Sequence, residues 1–170
     1  MNALIIYGST TANTETAAEK IAENLTAKEV STTLKNINEV VPTNEYENYD
    51  LIIFGSSTWG LGELQDDWLS VSYLNSLNLD NKFVAFFGTG DQSGFADTFV
   101  DALGILYNDL KGSKAKFIGK WSTEGYHYSD SAALVDEDNF VGLALDEENQ
   151  GDLTDERIAQ WVQQLLTEMK

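Results

Sequence analysis

The segment Gly8-Ser9-Thr10-Thr11-Ala12-Asn13-Thr14 sets four hydroxyl side chains between an apolar run and an amphipathic stretch. Hydroxyls donate hydrogen bonds, and the first-turn amides of a helix lack intrahelical acceptors and carry the positive end of its dipole. The segment therefore suits an anion. It has neither the Lys and second Gly of a triphosphate loop nor the G-x-G-x-x-G of a dinucleotide site. A single terminal phosphate fits. The competing interpretation is an ordinary polar strand-to-helix turn, and this segment alone does not decide between them.

Two further segments are unusual. In Ser56-Ser57-Thr58-Trp59-Gly60-Leu61-Gly62-Glu63-Leu64 an indole sits in a Gly-rich loop, where it either plugs the end of the core or offers a flat face to a planar ligand. Gly88-Thr89-Gly90-Asp91-Gln92-Ser93-Gly94-Phe95-Ala96-Asp97 repeats the arrangement with a phenyl ring. Two aromatic loops beside a phosphate nest would make a sandwich for a ring system with a phosphate tail. The chain has no Cys and one His. Thiolate chemistry, iron–sulfur clusters, Cys-based zinc sites and multi-His metal centres are thereby excluded, and any redox chemistry must come from an organic cofactor.

These loops need elements to hold them. Short apolar runs rich in Ile, Val and Phe predict strands over 3–7, 29–37, 50–55, 82–88 and 115–119, with a later short piece at 140–143. Ala17, Ala18, Ile21, Ala22 and Leu25 make one helical stripe, and Ile158, Trp161, Val162, Leu165, Leu166 and Met169 another. Thr154-Asp155-Glu156 reads as the N-cap and acidic first turn of the latter. A third helix is expected over 97–110 and a weaker one over 66–74. This alternation predicts an α/β fold, a doubly wound parallel sheet whose ligand sits outside the carboxyl ends of the strands. The polar stretch 120–150 lacks helical periodicity and reads as an excursion interrupting or following the fifth strand. With 170 residues and no Pro/Gly linker, a single domain over 1–170 is expected.

Ten Lys and Arg against 28 Asp and Glu leave a formal net charge of −18. Nucleic acids and anionic membrane surfaces would repel such a chain, so neither is expected as a partner. The start of the sequence lacks the basic and apolar regions of a signal peptide, and no apolar run approaches ~18 residues; a cytoplasmic address follows as the expectation.

The sequence resembles the flavodoxins, specifically the long-chain kind. The likeness rests on 9–15, similar to a T-x-T-G-x-T phosphate loop, on 57–68, on 88–97, on Trp121-Ser122-Thr123-Glu124-Gly125-Tyr126 and on Gly142-Leu143-Ala144-Leu145-Asp146-Glu147. It implies a five-stranded parallel sheet of order 2-1-3-4-5 with helices on both faces and a long insertion at the fifth strand. It also implies one non-covalently bound FMN and low-potential, single-electron transfer between redox proteins. Those partners would be a reductase as donor and a reductive enzyme as acceptor, each with a basic docking face, and the carrier itself a monomer.

By the same resemblance Ser9, Thr10, Thr11, Ala12, Asn13 and Thr14 hold the phosphate. Trp59 stacks on the inner face of the isoalloxazine and Phe95 on the outer. Thr89, Gly90 and Asp91 reach the pyrimidine edge, Ser57 and Thr58 line the ribityl side, and the peptide between Gly60 and Leu61, ahead of Gly62, faces flavin N5. Thr98 and Glu148 match peripheral contacts. Ala12 stands where the family has Gly, and Phe95 where long-chain members have Tyr. His127 and Asp136-Glu137-Asp138 read as surface, and Trp68 and Trp161 as packing. An NAD(P)H-dependent FMN or quinone reductase is the alternative on this fold, although no segment for a nicotinamide cofactor is visible. A receiver-type signalling domain would need an acidic pair where Gly8-Ser9-Thr10 stands.

Overall fold

The computed structural model describes residues 1–39, 42–69 and 71–170. Runs that are apolar on successive residues, not on alternate ones, bury both faces and so form the strands of a covered parallel sheet. In chain order the strands are β1 (Asn2–Gly8), β2 (Ser31–Asn36), β3 (Leu51–Trp59), β4 (Glu63–Leu64), β5 (Phe83–Thr89), β6 (Lys116–Phe117), β7 (Trp121–Ser122), β8 (Asn139–Phe140) and β9 (Leu143–Leu145). The helices are α1 (Asn13–Thr26), α2 (Asp66–Leu69), α3 (Asp101–Leu110), α4 (Glu147–Gln150) and α5 (Thr154–Glu168).

The main sheet runs β2-β1-β3-β5-β6, every neighbour parallel. With the short antiparallel hairpin strand β4 set aside, this is the expected order 2-1-3-4-5. One face carries Ile5, Ile53, Ala85 and Phe87 against Ile21 of α1 and Ile158 and Trp161 of α5. The other carries Leu4, Ile52, Phe54 and Phe86 against Leu103 and Leu106 of α3. Trp68 and Trp161 are buried in these layers, as expected of packing residues, while His127 and 136–138 are exposed.

The fifth position is not the single strand expected over 115–119. β6 pairs with the start of β5 at Phe83 and Val84, and β9 takes the same edge of β5 at Phe87, Gly88 and Thr89. Gly119, at φ 80°, turns the chain out of the sheet. It returns at Gly142, whose backbone lies so close to β5 that a Cβ there would sit 2.1 Å from the Phe86 carbonyl oxygen. The excursion therefore interrupts the fifth strand over 118–142, closed at its base by the antiparallel pair β7–β8. Residues 143–150, placed in the excursion on sequence, are a sheet strand and a short helix. The predicted strand 140–143 accordingly splits between β8 and β9.

Two helix expectations also change. The stretch 97–110 is a 3-10 turn (Ala96–Thr98) and then α3, broken where Val100 takes φ 50°. The break lets Phe99 leave the helical path and pack against Tyr126, Tyr128 and Phe140 of the excursion. Thr154 does not cap α5, because Leu153 holds that position and the Thr154 hydroxyl donates to Glu147 instead. The helix expected over 66–74 is α2 followed by a 3-10 turn (Leu74–Ser76), with residue 70 outside the described residues.

The excursion seats directly on α3 at Gly104, where a Cβ would lie 2.1 Å from the Ala132 carbonyl oxygen. Helix propensity favours Ala over Gly by about 1 kcal/mol. The obstacle is backbone and cannot rotate away, so overpacking of about 1–3 kcal/mol prevails. Gly104→Ala is expected to lower the melting temperature by several degrees; an unchanged or raised value in thermal unfolding would contradict this seating.

Candidate functional site

The carboxyl ends of β1, β3 and β5 converge on a cavity of about 330 Å³, within the roughly 300–1,000 Å³ of small-molecule sites. The loop after β1 contributes Thr11 and Asn13. The end of β3 contributes Ser57, Thr58, Trp59 and Gly60, and the loop after β5 Thr89, Gly90, Asp91 and Phe95. Glu147 and Glu148, at the start of α4, complete the rim.

The first loop leaves donors open. Ala12 precedes α1 in the left-handed region at φ 68° and offers no capping side chain, so the first-turn N–H groups of α1 have no side-chain cap. The Ser9 hydroxyl oxygen is buried and, among the described residues, has no hydrogen-bond partner. A buried unpaired polar atom costs about 1–3 kcal/mol and calls for an absent partner. Thr10 accepts from the Gln65 side-chain amide at 2.8 Å. Thr14 is turned inward, its hydroxyl 3.0 Å from that of Thr89. Of the segment 9–14, Thr11 and Asn13 line the cavity; Ser9, Thr10, Ala12 and Thr14 do not.

The left-handed geometry of Ala12 settles one question raised by the sequence: the loop keeps the conformation that Gly would take without strain. A non-Gly residue there costs about 1–2 kcal/mol, against roughly 0.5–1 kcal/mol of unfolded-state entropy that Gly would add. Ala12→Gly is expected to stabilise the apoprotein by about 0.5–1 kcal/mol in urea unfolding, and a loss of stability would count against the strain.

The second loop is a hairpin. Thr58 and Trp59 pair with Leu64 and Glu63, and the Gly62 N–H donates to the Trp59 carbonyl at 3.1 Å. Gly60 at φ 51° and Gly62 at φ 102° make the turn possible. The Trp59 indole N–H donates to Ser57 Oγ at 2.7 Å, which fixes the ring's orientation at the cavity wall. Leu61 points outward at 90% exposure, and Gly62 packs over Thr98 and Asp101. Leu61, Gly62 and Thr98 thus stand beside the cavity and not in it.

In the third loop Asp91 Oδ1 accepts from the N–H groups of Gly94 at 2.7 Å and Ser93 at 3.0 Å and from the Asn149 amide at 2.8 Å. The Gly94 N–H above all, then Asn149, holds the Asp91 carboxyl below the usual carboxylate range. A lowered folded-state value means that this loop contact stabilises above about pH 4 and is lost on acidification. Phe95 lines the cavity and is 55% exposed.

The sequence reading missed Glu147, although the Asp146-Glu147-Glu148 run directly after an apolar run was the available signal. A larger recess of about 400 Å³ lies between β7 and α5, lined by Trp121, Glu124, Glu156 and Arg157 among others. It is away from the strand ends where an open α/β sheet binds ligands. Its buried Arg157 sits over the Tyr126 ring, 4.2 Å away, and donates from Nη2 to the Gln150 side chain, while Nη1 has no hydrogen-bond partner among the described residues.

With this geometry in view, the likeness to known proteins is specific. The family model described as Flavodoxin matches residues 5–161. A flavodoxin of Trichodesmium erythraeum is 49% identical over 166 residues, covering 96% of this chain and 95% of that protein. The chain belongs to the flavodoxin family. Flavodoxin 2 of Escherichia coli K12 is 47% identical over 171 residues, covering 99% and 97%. Among solved structures, a Fusobacterium nucleatum flavodoxin bound to flavin mononucleotide superposes with a TM-score of 0.90 at 30% identity, covering 99% of both chains. Flavodoxin membership also accounts for the doubly wound sheet and the strand-end cavity.

Proposed function

We propose that this chain is one FMN-binding domain of the long-chain flavodoxin type, a carrier that takes and passes on single electrons at low potential. The observation that carries this reading is the buried, partnerless Ser9 hydroxyl. It lies in an uncapped helix-start loop that opens beside a cavity walled by Trp59 and Phe95. An anion at one end and a flat ring at the other is the demand made by FMN.

In this reading Ser9 to Thr14 and the first-turn amides of α1 hold the phosphate, and Ser57 and Thr58 line the ribityl chain. Trp59 and Phe95 cover the two ring faces, and the backbone of Thr89, Gly90 and Asp91 meets the ring edge. Bound FMN supplies a ring able to accept and return electrons one at a time. The protein contributes orientation, exclusion of water by the two aromatic walls, and a negative field. Leu61, Gly62, Thr98 and Glu148 serve from the rim. The exposed position of Phe95 leaves one ring edge open to a partner.

The field sets direction. A carboxylate ~10 Å from a developing anion opposes it by about 0.4–0.8 kcal/mol at effective dielectric constants of ~80 to 40. Asp91, Glu147 and Glu148 line the cavity itself, within a chain of net charge −18. Such a field makes the second electron harder to add, and so makes the reduced protein a low-potential donor. It also draws in partners with basic faces, a reductase as donor and a reductive enzyme as acceptor. In this reading the carrier acts as a monomer in the cytoplasm. Among the described residues no helix is long and apolar enough to cross a membrane.

Two mixing experiments test this. Holoprotein with NADPH alone is expected to stay oxidised, and rapid bleaching of its flavin would establish a reductase instead. Reduction by a basic-faced flavin reductase is expected to slow as ionic strength rises; rates indifferent to salt would refute the steering.

A further inference from the structure

Behind the third wall of the cavity stands a carboxylate that does not line it. Asp146 is fully buried. The ion pairs among the described residues join Lys20 to Asp155, Lys35 to Glu45, Lys114 to Asp80 and Lys120 to Asp136, none of them involving Asp146. Its partners are all N–H donors. Oδ2 accepts from the Gln92 backbone at 3.0 Å and from the Gln92 side-chain amide at 2.8 Å. Oδ1 accepts from the Asn149 backbone at 3.1 Å, and the Asn149 side-chain amide lies 3.0 Å from Oδ1 and 2.9 Å from Oδ2. That same amide reaches across to Asp91.

A donor set of this kind matches an ionised carboxylate, which only accepts; an amide in its place would turn its own hydrogens toward one of the donors. Burying a charge with hydrogen bonds but no counter-ion is a costly way to anchor a loop. The anchored loop is the ring-edge wall. Gly90 donates to the Leu145 carbonyl at 3.0 Å, so consecutive residues, Leu145 and Asp146, grip the chain on either side of Asp91.

We propose that Asp146 is the positioning residue of the ring end of this site. It holds Gly90 to Gln92 in place for the flavin edge, and its buried negative charge opposes further negative charge on the bound cofactor. The inference rests on the FMN reading above.

Riboflavin, which lacks the phosphate, separates the two ends of the site. With Asp146→Asn apoprotein, affinity for FMN and for riboflavin is expected to fall by the same factor, about tenfold. The second midpoint potential of the FMN complex should shift upward. Amide hydrogen exchange at Gly90 and Gln92 should quicken in the apoprotein while the amides of α1 hold. A folded variant with unchanged affinities and potential, or a loss confined to FMN, overturns the proposal. Should that variant fail to fold, Asn149→Ala leaves the charge and removes exposed donors. It is expected to weaken both flavins severalfold with the potential unmoved, and no change in either affinity overturns the positioning role. Wild-type apoprotein that does not bind FMN overturns the functional reading and this inference together, whereas normal wild-type binding with unaltered variants overturns the inference alone.

Discussion

Replacing Trp59 by alanine is expected to weaken FMN binding about 100-fold. A flat ring laid on an aromatic side chain is worth about 1–3 kcal/mol per face, and 1.4 kcal/mol is a factor of ten. Trp59 should sit at the top of that range because its orientation is already set by the hydrogen bond to Ser57, so little side-chain freedom is lost on binding. Phe95 has a smaller ring, is 55% exposed and has no polar atom to pin it. Phe95→Ala should cost about tenfold. Titration of apoprotein into FMN, followed by quenching of flavin fluorescence, reads both. Equal affinities for wild type and Trp59→Ala would remove the inner-face assignment.

The second large effect is discrimination for the phosphate. Riboflavin is expected to bind at least about 100-fold more weakly than FMN, since hydrogen bonds to a charged group contribute about 1.5–3 kcal/mol each and the helix start adds its dipole. Ser9→Ala isolates one such bond. It should lower FMN affinity about tenfold or more and leave riboflavin untouched, because the methyl group of alanine needs no partner where the hydroxyl lacked one. The apoprotein itself should be no less stable for the change. Equal losses for both flavins would mean that Ser9 acts through the loop and not through the phosphate.

The three loops were legible in the sequence because each is marked by residues with a local physical reason: hydroxyls before a helix in the first, and a lone aromatic in a Gly-rich run in the second and third, where Gly60 and Gly62 of the second take positive φ. The main strands followed from apolar runs long enough to register, whereas their order 2-1-3-4-5 came only with the resemblance to the flavodoxins. What escaped lacks such local marks. Strands of two and three residues, β6 and β9, carry no periodicity, so the divided fifth strand looked like one strand and an excursion. Apolar spacing continues unbroken through Phe99, Leu103 and Leu106, which hides the turn at Val100. The buried carboxylate of Asp146 meets Gln92 from 54 residues away, and Gln65 reaches Thr10 from 55. No spacing announces contacts that only the folded sheet creates. Thr14 shows the same: its type marks the loop, but nothing local announces that its hydroxyl lies 3.0 Å from that of Thr89.

The central claim is that this acidic, cysteine-free chain moves electrons singly through one bound flavin. A spectroelectrochemical redox titration of the FMN complex at neutral pH tests it most directly. Two resolved one-electron steps are expected, the second displaced to low potential by the carboxylates around the cavity and moving upward as salt screens them. A single two-electron step, or a second step at or above the first, would contradict the account.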